Sequence, residues 1–280
     1  LKTKGNMAMR TIAATGVFLG LMAGCAAATG IPLAPHQAIY ELSLGWASGK
    51  SGIEGLDGRF VYSFAGGDCA GYSTDMRMVT EITREDGSLV TDQSSSSYED
   101  IAEGSFAFSN TLYSDYALQS RTNGEALRNA ADAIAVTLGG DQPESLTLKK
   151  AEFPTEYLAH VIHAADRGER VYAAISFDGS GEKAMRAVTL IGDPSPVKKA
   201  VAGESAGRNW PITTAYFDLD AGHGDQTPAY TVSMLLGEDG VSRDLTMDFG
   251  DFKMTGTLTS LRMLEPAPCD EKPSTASSSR

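Results

Sequence analysis

AIYELSLGW, residues 38–46, places Ala38, Tyr40, Leu42, Leu44 and Trp46 in strict alternation with Ile39, Glu41, Ser43 and Gly45. A period of two puts one set of side chains on a single face of a strand, so the segment reads as a strand with one buried side. Phe60, Tyr62 and Phe64 repeat the pattern. The Gly66-Gly67-Asp68 turn leads into Cys69 and a further strand over Tyr72–Thr83. Asp86-Gly87 signals a hairpin into Ser88–Tyr98, and Phe106 and Phe108 continue the pattern through Ser105–Tyr113. Residues 116–150 pattern poorly, although Ile134, Val136 and Leu138 alternate.

One segment breaks the rule. In Phe153–Gly168, Tyr157, Leu158, Val161, Ile162 and Ala165 fall on one helical face. Pro154 suits the first turn, Thr155 is the expected cap, and Gly168 ends the helix. Strands resume over Arg170–Phe177, Lys183–Ile191, Ile212–Leu219, Ala229–Leu236 and Val241–Leu264, the last folded at a hairpin loop in Phe249-Gly250-Asp251-Phe252. The expectation is a single all-β domain of antiparallel strands over residues 29–269, with one inserted amphipathic helix and a polar, disordered tail at 270–280.

The 280 residues carry a formal charge of −13. That balance excludes sequence-independent nucleic-acid binding, which needs clustered Lys and Arg. Residues 1–28 read as a secretory signal. Met7 or Met9 is the expected start, with Leu1–Asn6 upstream of it; Arg10 is the basic part, Thr11–Gly24 the apolar part, and Ala26–Ala28 the small-residue cleavage site. Its removal takes away Lys2, Lys4 and Arg10 and leaves 20 basic against 36 acidic residues, a net −16. No stretch after residue 28 is apolar enough to span a bilayer as a helix, and the acidic charge disfavours electrostatic docking on anionic lipid. An exported, periplasmic protein is expected. A second reading makes Cys25, in Leu21-Met22-Ala23-Gly24-Cys25, a lipidation site that would anchor the chain. Either way Cys69 and Cys269 remain, and two cysteines in an oxidising compartment are expected to pair. A catalytic thiol would want a resolving Cys or an activating His, and the chain has no C-x-x-C.

Motifs that carry chemistry are few. Gly203-Glu204-Ser205-Ala206-Gly207 spells G-x-S-x-G, but polar, Lys-rich residues precede it and a strand follows, where a nucleophile elbow needs a buried strand before and a helix after. His223 is the only later histidine. A Gly/Ser-rich surface loop is the plainer account. His160, His163 and Asp166 follow one another at helical spacing and are metal-ligand candidates, set against a solvated polar face with Glu156 and Arg167. His36 reads as a backbone donor at the start of a strand. Asp248 and Asp251 flank a hairpin and Glu81 and Glu85 precede another, which is turn chemistry before it is paired-carboxylate chemistry. Trp210-Pro211 reads as core. The residues therefore assign no catalytic group, cofactor or metal.

The chain resembles the EipB family of cell-envelope integrity proteins, periplasmic proteins of alphaproteobacteria. The blocks that carry the likeness are LAPHQAIYELSL (33–44), SGIEGLDGRFVYSF (51–64), CAGY (69–72), FPTEYL (153–158), GERVYAAISFDGS (168–180), NWPITTAYFD (209–218) and GVSRDLTMDFGDFKMTGTLTSLRML (240–264), collinear over almost the whole chain. The resemblance implies an antiparallel sheet wound into a spiral or broken barrel, with a disulfide at the family's two cysteine places, Cys69 and Cys269. It implies a role in envelope integrity under stress without an assigned catalytic activity.

Two classes of function follow. The first is a non-enzymatic envelope protein that binds a partner protein, an apolar peptide or an acyl chain on the concave sheet. The second is an exported hydrolase using Ser205 or the pair Asp248 and Asp251. A purely structural role is the third, and the oligomeric state is left open.

Overall fold

The computed structural model describes residues 33–139, 144–180, 183–198, 201–204, 206–219 and 227–269. Eight strands come first: β1 (His36–Ala47), β2 (Ile53–Gly67), β3 (Gly71–Arg84), β4 (Gly87–Asp100), β5 (Ser105–Ser114), β6 (Ala117–Arg128), β7 (Ala133–Leu138) and β8 (Glu144–Lys149). A two-residue β9 (Ala151–Glu152) leads into the helix α1 (Pro154–Asp166). Then come β10 (Val171–Ser176), β11 (Met185–Ile191), β12 (Ser195–Pro196), β13 (Arg208–Asp218), β14 (Tyr230–Gly237), β15 (Ser242–Asp248) and β16 (Phe252–Met263).

All sixteen strands lie in one sheet, running from β8 in descending order to β1, across to β16, and down through β15, β14, β13, β11 and β10 to β9, with β12 beside β13. Neighbours are antiparallel except β9 and β10. Strands of 12 to 15 residues such as β1 and β2 are long, and long strands twist and coil when one face is apolar. Register shifts between Ile39 and Tyr40, Leu44 and Trp46, Leu112 and Tyr113, and Ser233 and Leu235 add local bends. The result is a nearly closed, barrel-like sheet with a seam.

The seam is crossed by the chain itself. β8 ends the sheet on one side and pairs only with β7; after Lys150, in the left-handed region at φ 54°, the chain continues as β9 and pairs with β10 on the other side. Phe106 stacks on Phe108 and on Phe153, and Phe177 meets Phe106 and Phe108 edge-on. Asn110 Nδ2 donates to the Gly179 carbonyl at 2.6 Å. Gly179 sits at φ 70°, and a Cβ there would stand 2.4 Å from the Phe108 ring, so the seam requires glycine at this position.

Two of the expected local features differ. The β3–β4 loop is Glu85-Asp86, and Gly87 (φ 137°) is already paired with Arg84. The cap position of α1 is Phe153 rather than Thr155, because the acceptors for the first helical N–H groups come from another strand, as described below. The poorly patterned residues 116–150 contain three strands, β6 to β8, that extend the same sheet. Residues 1–32 and 270–280, which hold the expected signal, Cys25 and the polar tail, lie outside the described residues.

Candidate functional site

α1 enters the barrel and fills one half of it. Tyr157, Val161, Ile162, Ala164 and Ala165 are buried against Phe64, Tyr72, Ile191, Trp210, Ile212 and Leu236, with Leu33 closing over them. Burying each of Tyr157, Val161 and Ile162 stabilises by about 2 kcal/mol, so the helix is held by packing more than by propensity. Its N-terminus is held by Glu99 of β4, whose carboxylate oxygens accept the Thr155 N–H at 2.8 Å and the Glu156 N–H at 2.9 Å. The first-turn N–H groups of Thr155 and Glu156, which have no acceptor within the helix, and the positive end of the helix dipole make this a natural seat for an acid. Burial nevertheless dominates and lifts the Glu99 pKa to about 7, with the two N–H donors pulling the other way. Beside β15 and β16, the buried Glu204 carboxylate accepts from Arg243 Nε at 2.6 Å in an ion pair, and Val201 packs against the neighbouring apolar cluster.

No described helix enters the other half of the barrel, where Leu42, Leu56, Ile82, Leu245 and Met254 of the wall pack together in a second buried cluster. Register carries one face continuously across the sheet: Phe60 is opposite Met78, Met78 opposite Gln93, and Gln93 opposite Leu112. Further along the sheet the same inward face presents Tyr216 opposite Tyr230, Thr214 opposite Val232, and Met247 opposite Met254. Met76, Met78, Gln93, Ser95, Leu112, Tyr216, Tyr230, Val232, Met247 and Phe252 are half-buried, while Leu42, Leu56, Thr80, Ile82, Leu245 and Met254 on the same face are buried and Tyr216 packs against the cluster around α1. Tyr216 stacks on Tyr230 with ring centroids 4.6 Å apart, and Phe249 and Phe252 extend the aromatic run. Burial raises the pKa of both tyrosines, and the charge of Asp178 adds to it, so both stay protonated at neutral pH. The open half is thus an uncharged surface of thioether, aromatic and hydroxyl groups.

The candidate residues from the sequence are dispersed. Asp248 pairs with Lys253 at 2.9 Å and accepts the Gly250 N–H, while Asp251 is exposed at the hairpin tip; the two are turn residues. Ser205 and His223 lie outside the described residues. The loop that carries Ser205 runs between β12 and β13, with no helix after it, and it is less superficial than expected, since Glu204 is buried. His160 Nδ1 lies 3.1 Å from both Glu152 and the Tyr172 hydroxyl, while Asp166 accepts from Arg208. The expected metal-ligand trio is therefore divided among different partners, and the described residues contain no group of three or more His, Cys, Asp or Glu that could hold a metal. The helix face expected to be solvated is partly engaged instead: Glu156 pairs with Arg128 of β6, so the helix also clasps the far side of the seam. His36 Nδ1 lies 2.7 Å from the Ala34 carbonyl, and Trp210 is core. Cys69 and Cys269 form a disulfide with Cα atoms 4.9 Å apart.

Glu99 was not singled out from the sequence, although a signal was present. In the alternation of β4 it shares a phase with Ser95 and Ser97, the inward one, where a carboxylate needs a donor.

A nearly closed sheet with its own helix packed inside one end defines a barrel-like all-β protein. A family model described as EipB-like matches residues 27–265, and the chain belongs to that family. It is 36% identical over 260 residues to the cell envelope integrity protein EipB of Brucella abortus (strain 2308), covering 89% of this chain and 92% of that protein. Its fold matches the crystal structure of a β-barrel-like protein of a domain of unknown function from Brucella abortus, with a TM-score of 0.77 and 36% identity over 83% of this chain and 99% of that one. Among the described residues no helix is long and apolar enough to cross a membrane.

Proposed function

We propose that this chain is a non-enzymatic periplasmic member of the EipB-like family that supports envelope integrity by holding an extended apolar chain, best an acyl chain, in the open half of its barrel. The observation that carries this reading is the run of half-buried, uncharged side chains on the inner face that α1 does not cover, from Met78 through Gln93 to Leu112 and from Tyr230 through Val232 to Met247. Methionine suits such a surface, since its unbranched, polarizable side chain adapts to a flexible ligand. The hydroxyls of Tyr216 and Tyr230 and the amide of Gln93 offer a few polar contacts without charge, the usual composition of a lipid- or peptide-sized site. Among the described residues, the carboxylate candidates Asp248 and Asp251 are hairpin-turn groups, Asp248 being paired with Lys253.

The test is a titration of the full chain with a fluorescent long-chain fatty acid. Val232→Trp and Ser95→Trp each add bulk to the inward face and are expected to weaken binding about tenfold. Thermal melting of both variants separates loss of the site from loss of the fold. Unchanged binding by two folded variants contradicts the reading.

A further inference from the structure

The seam is held by α1 as well as by the chain that crosses it. The helix reaches to both sides: Glu156 pairs with Arg128 of β6, and His160, one turn on, meets Glu152 of β9 and Tyr172 of β10. β9 is the two-residue strand that carries the chain across, and its Glu152 side chain is only 15% exposed. One oxygen of that carboxylate, Oε1, accepts the Tyr172 hydroxyl at 2.6 Å and lies 3.1 Å from His160 Nδ1. The other, Oε2, is buried and has no hydrogen-bond partner. A carboxylate held in this way depends on the charge beside it, because a buried acid without compensation is costly.

The imidazole is the group that can withdraw that charge. Glu152 faces it from β9, Glu156 from its own helix and Arg128 from β6, while Tyr172 of β10 contributes a hydroxyl. Burial, seconded by Glu152, raises the Tyr172 pKa, so this hydroxyl stays a donor. Two carboxylates thus stand against one guanidinium, which also serves Asp132, and protonated His160 supplies the second positive charge. The hydrogen bond to Glu152 raises the His160 pKa above 6.5; burial opposes it, the charges of Glu152 and Glu156 add to it, and Arg128 subtracts. A neutral imidazole still donates through Nδ1, but it no longer offsets the acid.

We infer that His160, Glu152 and Tyr172 form a pH-sensitive latch on the seam, shut while the imidazole carries its proton and loosened when it is lost. With the folded pKa above 6.5, the stabilisation is full below that value and disappears as pH rises through the folded one. The barrel then opens first where β9 joins β10, and the long strands on the far side stay paired. None of the three residues belongs to the acyl-chain surface, so the two proposals stand or fall separately.

Hydrogen exchange tests the latch in the full chain carrying Glu99→Gln, which removes the other titrating group at this helix. Protection over residues 144–153 and 171–177, corrected for the intrinsic pH dependence of exchange, is compared between about pH 6 and about pH 8.5. The expected result is a fall of about tenfold, between the effects of an exposed and a buried ion pair, with β1 to β3 unchanged. His160→Gln keeps a donor for Glu152 without the charge, and it is expected to show the lower protection at both ends of the range. Proton NMR assigns the transition: the imidazole that titrates above 6.5 should be the one missing in His160→Gln. A flat profile over the seam, a fall that persists in folded His160→Gln, a loss spread evenly through β1 to β3, or a His160 that titrates at or below 6.5 each overturns the inference.

Discussion

Glu99 shows how one inward-facing acid organises the plugged half of the barrel. Its two oxygens take the first N–H groups of α1 from a strand far away in sequence, so the helix is seated by a side chain that local rules for caps do not supply. Glu99→Ala removes both acceptors and is expected to cost about 1–2 kcal/mol in chemical denaturation, the upper range for a lost cap. The pH dependence follows from burial. With the folded pKa raised from 4.5 to about 7, the folded chain retains a proton in that window which the unfolded chain has released. Stability contributed by this group is therefore present at low pH and lost as pH rises through about 7. Urea denaturation across that range should show the decline, and Glu99→Gln, which does not titrate, should reduce it.

At the scale of elements, alternation made the sheet legible wherever one face is firmly apolar. Phe60, Tyr62 and Phe64 announce β2, and the helical spacing of Tyr157, Val161, Ile162 and Ala165 announces α1, because burial acts on every second or every third to fourth residue. β6 was obscure for the same reason. Residues 117–121 are exposed on both faces, so no periodic signal is imposed there, and neighbours in the sheet decide its conformation. Seam contacts are illegible for a different cause: Phe106 and Phe153, or Asn110 and Gly179, are joined only by closure of the whole sheet. The candidate interior was visible as an apolar face but not as two halves, since the division depends on where α1 lies. Phe153→Ala removes a ring stacked on Phe106 at 5.0 Å and under the Arg128 guanidinium. A loss of about 3–5 kcal/mol is expected, with hydrogen exchange rising first in β8 and β9, the strands that close the seam. Uniform exchange across the sheet in that variant contradicts the assignment of the seam as the weakest closure.

For the whole molecule, the disulfide and the divided interior set the balance of stability and function. The Cys69–Cys269 bridge spans 200 residues and ties the segment after β16 to the β2–β3 turn, where the Ala267 N–H also reaches the Gly66 carbonyl. Closing so long a loop is worth roughly 5 kcal/mol in the chain-entropy account. Cys69→Ser should therefore melt well below the oxidised protein while keeping its far-ultraviolet signature; equal melting points for the oxidised and reduced chain contradict this. The central claim concerns what the open half holds. Native mass spectrometry of the protein isolated without refolding from its own envelope, before and after incubation with a long-chain fatty acid, tests it most directly. A bound acyl mass in either sample, displaced in Val232→Trp, is the predicted result. A bare polypeptide mass in both samples contradicts it.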